Sequence, residues 1–127
     1  MPAHQIDTAV VIDLLRGYAS ARNWIDNLSD DDRLISVMTA AELLDGCKNA
    51  REQRQLEREL KNFTILSITE AISLQALDWY RAHRLSVACG FADCIIGATA
   101  FHLGLTLCTL NIKHFRIFEG LRVERPY

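Results

Sequence analysis

Short apolar runs alternate with longer amphipathic stretches along the whole of this chain, and no other feature constrains the fold as much. The runs at 3–7, 33–37, 63–67, 105–109 and 121–124 read as strands. Helical periodicity fills the gaps: Ala9 to about Arg16, stopped by Gly17; 19–28, with Ala21, Trp24, Ile25 and Leu28 on one face; then 51–62 and 70–84. Thr8 is placed to cap the first helix. Thr39 begins another that carries Ala40, Leu43, Leu44 and Cys47, and Glu42 stands three residues on, the spacing of a capping box. The run 29–32 (Ser-Asp-Asp-Asp) reads as a solvated turn. Segment 92–103 is apolar almost all round and predicts a buried helix, with a short helical turn near 111–114. Strands separated by helices need right-handed crossovers, which leave a parallel sheet covered on both faces. The expectation is an α/β, three-layer fold, with a mainly parallel central sheet of four or five strands flanked by helices. The 127 residues amount to a single domain over 1–127, long enough to bury roughly two-thirds of the surface exposed when unfolded.

Several function classes are disfavoured at once. The longest apolar run, Cys94 to Phe101, falls far short of the ~18–20 residues that span a bilayer. The amino-terminal residues lack the basic and apolar regions of a secretion signal, so a cytoplasmic location is expected. Cys47, Cys89, Cys94 and Cys108 form no C-x-x-C pair, and their spacing suits reduced thiols better than a disulfide or a zinc site. The sequence contains no phosphate-binding glycine loop and no G-x-S-x-G elbow. Its four histidines, at 4, 83, 102 and 114, are scattered.

In an open α/β sheet, ligands bind beyond the carboxyl ends of the strands. Asp7 ends the first strand, Glu42 follows the second, Asp93 opens the most apolar helix and Asn111 lies just past the strand ending at Thr109. Singly, each acid reads more readily as a helix cap or a partner of the helix dipole. Gathered at one sheet edge, three carboxylates and an amide repel one another unless a cation neutralises them. Such oxygen ligands suit Mg²⁺ or Mn²⁺. An ion of this kind can activate water and stabilise the charge that develops on a phosphodiester, assisted by a second ion about 3.5–4 Å away. An aspartyl-phosphate mechanism at Asp7 is weaker, because Ala9 stands where its second acid belongs.

Four motifs in register carry a resemblance. Ile6-Asp-Thr-Ala-Val-Val-Ile-Asp-Leu-Leu-Arg-Gly, Ser36-Val-Met-Thr-Ala-Ala-Glu-Leu-Leu-Asp-Gly, Ala92-Asp-Cys-Ile-Ile-Gly-Ala-Thr-Ala and Leu107-Cys-Thr-Leu-Asn-Ile-Lys-His-Phe resemble the successive motifs of PIN-domain nucleases. Their order and spacing over nearly the whole chain are similar to the VapC toxins of bacterial toxin–antitoxin pairs. The resemblance implies a Mg²⁺- or Mn²⁺-dependent endoribonuclease, with one or two ions, that leaves 5′-phosphate and 3′-hydroxyl ends. It also implies inhibition by a cognate VapB-type antitoxin and assembly as a homodimer or larger complex. By position, Asp7, Glu42 and Asp93 match the family's acidic metal site, with Asp7 and Asp93 the firmest ligands. Asn111 matches its fourth polar position, holding a metal-bound water, and Thr8 the hydroxyl residue that orients the site. The family's usual T-x-N-x-x-D-F ending is altered here: His114 replaces the common Asp, which lowers the negative charge available to a second ion.

Two surfaces add to this reading. On a helix over 51–62, Arg51, Arg54, Arg58 and Lys61 fall within about 80° of arc, opposite Leu56, Leu60 and Phe63. This basic stripe reads equally as an RNA or antitoxin contact and as a solvated face. The helix at 18–28, with Tyr18 and Trp24, is either a groove wall for an amphipathic antitoxin helix or part of the core. The net charge of −2, from 14 basic and 16 acidic residues, argues at first sight against an RNA partner. The distribution is more informative, because 46–63 has five basic and three acidic residues and 111–127 has four and two. One or two bound divalent ions bring the total to zero or +2. The remaining alternatives are a catalytically silent PIN-like module that binds RNA or protein, and a metal-dependent phosphatase.

Overall fold

The computed structural model describes residues 3–86 and 89–127. Its five strands are β1 (His4–Ile6), β2 (Leu34–Ser36), β3 (Thr64–Leu66), β4 (Thr106–Cys108) and β5 (Val123–Glu124). The helices are α1 (Thr8–Leu15), α2 (Ala19–Asp26), α3 (Val37–Asp45), α4 (Ala50–Leu60), α5 (Glu70–His83), α6 (Phe91–Leu103) and α7 (Ile112–Phe115). All strand pairs are parallel, in the order β3-β2-β1-β4-β5. The expected α/β class, layers and strand number therefore hold.

The strands are shorter than their apolar runs, because the residues at their ends become helix caps. Asp7, not Thr8, caps α1: its carboxylate accepts the Thr8 N–H at 2.8 Å. Ser36, not Thr39, caps α3, accepting the Met38 N–H at 3.0 Å. The capping box read at Thr39–Glu42 does not form. With Ser36 already serving the helix start, Thr39 lies buried on its third residue. Asn49 caps α4 through the Glu52 N–H, and the Glu52 carboxylate reaches back to the Lys48 N–H. Residues 30–32 form a 3₁₀ turn.

Two apolar clusters sandwich the sheet. One face carries α1–α4 on Ile6 and Ile35. The other carries α5–α7 on Leu107, with Trp79 stacked on Phe118 at 4.4 Å. The α6 helix is buried from Cys94 to Ala100, but Phe101 and Leu103 at its end are exposed, so burial covers less than the apolar run suggests. Gly97 explains the tight fit, since a Cβ there would lie 3.3 Å from Phe118. Gly120, at φ +85°, turns the chain against α6 where a Cβ would stand 2.9 Å from Phe101. Gly120→Ala is expected to cost about 2 kcal/mol, the left-handed backbone penalty plus that contact. A urea titration checks this through a lower midpoint at unchanged slope.

Candidate active site

The strand order reverses between β1 and β4, and the crevice beyond a reversal is where open α/β sheets bind ligands. Asp7 stands at that point. Its backbone N–H is bonded to the Cys108 carbonyl at 2.9 Å, and its side chain is only 4% exposed. The other carboxylate oxygen accepts the Thr109 hydroxyl at 2.7 Å. Thr109 in turn accepts the Asn111 N–H at 3.0 Å, which fixes the chain leaving β4. Thr8 donates its hydroxyl to Glu42 Oε1 at 2.7 Å and lies 3.0 Å from the Thr39 hydroxyl, joining α1 to α3. Asp93 sits in the first turn of α6, where its carboxylate accepts the Gly90 N–H and lies 4.0 Å from His114 Nδ1.

The electrostatics follow from this packing. Burial is the main force pushing the Asp7 carboxyl above its ordinary range. The Thr109 and Thr8 hydrogen bonds oppose that rise, while the charges of Asp93 and Glu42 add to it. Asp93 is also raised, mainly by burial, against the opposing Gly90 bond and His114 charge. Asp93 and Glu42, from two other elements, therefore both act on Asp7 at this crevice. A buried carboxylate facing two further acidic oxygen donors fits a hard divalent cation, which relieves the repulsion on Asp7 and tolerates intervening water. The trio is open, however. Among the described residues, the one set of three His, Cys, Asp or Glu side chains whose ligand atoms all lie within 4.8 Å of one another is elsewhere, at His4, Cys108 and Glu124.

Asn111 stands at the rim of the crevice, exposed, and no side-chain hydrogen bond ties it to the start of α7. Thr109 and Thr39 are the residues that sequence reasoning missed. Thr109 lies within the fourth motif, but nothing local reveals a partner 102 positions away. The basic residues on α4 separate in the fold. All four are exposed and Leu56, Leu60 and Phe63 are buried, as the angular count requires. Arg58 alone of the four lines a groove of about 770 Å³, whose walls include Ile12, Leu15, Leu43 and Leu56, with Glu42 at its edge. That groove runs between α1, α3 and α4. Trp24 is not in it; half-buried, it packs against the core with its ring edge-on to His4.

A PIN-domain family model matches residues 5–119. Ribonuclease VapC10 of Mycobacterium tuberculosis is 40% identical over 119 residues, covering 92% of this chain and 89% of that protein. The chain belongs to the VapC-type PIN-domain family. Ribonuclease VapC1 of Rickettsia felis is 30% identical over 126 residues, covering 93% and 92% of the two chains. Among solved structures, a chain of a toxin–antitoxin complex from Klebsiella pneumoniae superposes on this PIN domain with a TM-score of 0.81. That chain is 27% identical, with 98% of each chain covered.

Proposed function

We propose that this VapC-type PIN domain is the toxin of a type II toxin–antitoxin pair, a Mg²⁺- or Mn²⁺-dependent endoribonuclease acting in the cytoplasm. The observation that carries the reading is the buried Asp7 carboxylate at the sheet's reversal point, with Asp93 and Glu42 near enough to raise it further. The curated relatives are ribonucleases by name, and the Klebsiella neighbour is a chain of a toxin–antitoxin complex. No helix among the described residues is long and apolar enough to cross a membrane.

Asp7, Asp93 and Glu42 would hold the cation, one ion or two, which supplies Lewis-acid polarisation of a phosphodiester oxygen. The rest of the chemistry belongs to the chain. Thr8 N–H and Thr109 fix both oxygens of Asp7, so its remaining lone pairs keep one orientation. Thr8 holds one oxygen of Glu42 through its hydroxyl. Asn111, at the rim, donates and accepts hydrogen bonds toward a reacting water or phosphate. His114 stands beside Asp93 where the family commonly has an acid, which leaves less negative charge and favours one ion over two. A VapB-type antitoxin places an amphipathic segment in the groove of α1, α3 and α4, adjacent to Glu42. Leu74 and Leu77, exposed on α5, supply apolar surface for a homodimer.

Incubating the protein with RNA after chelation, then restoring Mg²⁺ or Mn²⁺, tests the reading. Cleavage that disappears and returns supports it. Cleavage indifferent to the chelator overturns the cation dependence, no cleavage under any condition favours a binding module, and release of phosphate from small monoesters favours a phosphatase.

The basic stripe gives a second test. In an Asp7→Asn background, where RNA stays intact, changing Arg51, Arg54, Arg58 and Lys61 to Gln should flatten the salt dependence of RNA affinity. The log–log slope falls by about 0.7 for each phosphate that is no longer neutralised. An unchanged slope assigns the stripe to solvent or to the antitoxin.

A further inference from the structure

The tightest ligand-like cluster among the described residues lies outside the carboxylate crevice. Parallel register places Ile6 beside Cys108 and Cys108 beside Glu124, so the side chains of His4, Cys108 and Glu124 share the α1–α4 face of the sheet. Their ligand atoms all lie within 4.8 Å of one another. His4 Nε2 is 4.0 Å from the Glu124 carboxylate, and His4 Nδ1 is 4.0 Å from the Asp32 carboxylate. Both separations are too long for hydrogen bonds. The Nδ1 atom is buried without a partner, an arrangement that folded proteins seldom tolerate without a reason. Cys108 is 1% exposed, whereas Glu124 opens to solvent, so an ion can reach the cluster from that side.

A thiolate, an imidazole and a carboxylate form a mixed donor set that suits zinc and does not suit Mg²⁺. Ligand atoms around a tetrahedral zinc stand about 3.3–3.8 Å apart, given bond lengths near 2.0–2.3 Å. The present spacing reaches that with side-chain shifts of under about 1 Å. Asp32 lies on the far side of the ring, 4.0 Å from Nδ1, and an approach of about 1 Å would give the carboxylate–histidine–metal arrangement that fixes a ring and its tautomer. We propose that His4, Cys108 and Glu124 bind one Zn²⁺, with Asp32 orienting His4 and water completing the coordination. On binding, the Cys108 S–H proton leaves to solvent as the S–Zn bond forms, and the neutral imidazole donates its Nε2 lone pair. Because binding releases that proton, it tightens as pH rises. The ion would tie the two-residue edge strand β5 to β1 across β4. The cysteine pattern concealed this site because its ligands come from three strands and no two of them are near in sequence.

Cobalt titration of the full chain, reduced and freed of metal, tests the proposal. Asp7→Asn with Asp93→Asn serves as background, so that the carboxylate crevice plays no part. One equivalent of Co²⁺ should give a near-ultraviolet thiolate-to-cobalt band and tetrahedral d–d absorption, both displaced by Zn²⁺. Cys108→Ser should abolish the band. Glu124→Gln, a change at an exposed side chain that cannot unfold the protein, should weaken binding by about tenfold or more. Zn²⁺ should also raise the urea midpoint of this background protein but not that of the same protein carrying Cys108→Ser. Absence of the band, its persistence in Cys108→Ser, or affinity unmoved by Glu124→Gln would overturn the site. None of these outcomes bears on RNA cleavage.

Discussion

Asp7→Asn is expected to reduce RNA cleavage by about 10³-fold or more while the protein stays folded. An ion held at a reacting phosphodiester contributes several kcal/mol of charge stabilisation in the transition state. At 1.36 kcal/mol per tenfold, losing about 4 kcal/mol gives that factor. The fold survives because asparagine keeps an oxygen for the Thr8 N–H and turns its amide N–H toward Thr109. The variant also carries a stability signature that a merely structural lesion does not. The folded Asp7 carboxyl lies above its unfolded value of 3.8. Its contribution to stability is therefore complete below about pH 3.8 and is lost as pH rises through the folded value. At neutral pH and without cations, Asp7→Asn should accordingly be more stable than the parent. Mg²⁺ or Mn²⁺ should raise the melting temperature of the parent and leave the variant unmoved. Asp93→Asn should lose activity in the same way. Normal cleavage by either variant, or an equal melting shift with cation in parent and variant, would sink the assignment.

Thr109→Val should destabilise the protein by about 2–3 kcal/mol and slow cleavage by about 10–100-fold. Valine matches the shape of threonine at this fully buried position, so the loss isolates the hydroxyl. Without it, a buried carboxylate oxygen and the Asn111 N–H both lack partners. The Thr109 bond lowers the Asp7 value, so its removal raises that value further. The destabilisation should consequently shrink at acid pH, where Asp7 is neutral, and be full at pH 7. Urea unfolding at the two pH values measures both quantities. A penalty that does not change with pH would show that Thr109 acts by packing alone.

Much of this architecture was legible because each level of the sequence agreed with the next. The alternation of apolar runs and helical periods leads directly to a five-stranded parallel sheet, and the residues at the strand ends lead to the crevice. The errors were local and share one cause. At Asp7 and Ser36 the strand passes straight into a helix, so the last strand residue or its successor becomes the cap. Propensity alone cannot choose between Asp7 and Thr8, or between Ser36 and Thr39. The hydroxyls that brace the acids were hidden for a different reason. Thr109 and Thr39 are ordinary small residues until tertiary packing supplies a partner 102 or 31 positions away. An aromatic on an amphipathic helix, as Trp24 is, reads equally as a docking surface and as a core residue. In the fold the ring packs on His4, and the groove opens instead between α1, α3 and α4.

The insertion of β4 beside β1 has a consequence for the order of events during synthesis. Asp7 is synthesised long before its backbone partner Cys108 and its side-chain partner Thr109. Asp93 likewise meets His114 only after the chain has grown past α7. A nascent chain can form β1, β2 and their helices early, but the crevice has only half its walls until the fourth strand docks. Closing so long a loop is slow compared with local helix formation. The destructive chemistry proposed for this protein is therefore withheld by topology from incomplete chains still attached to the machinery that makes them.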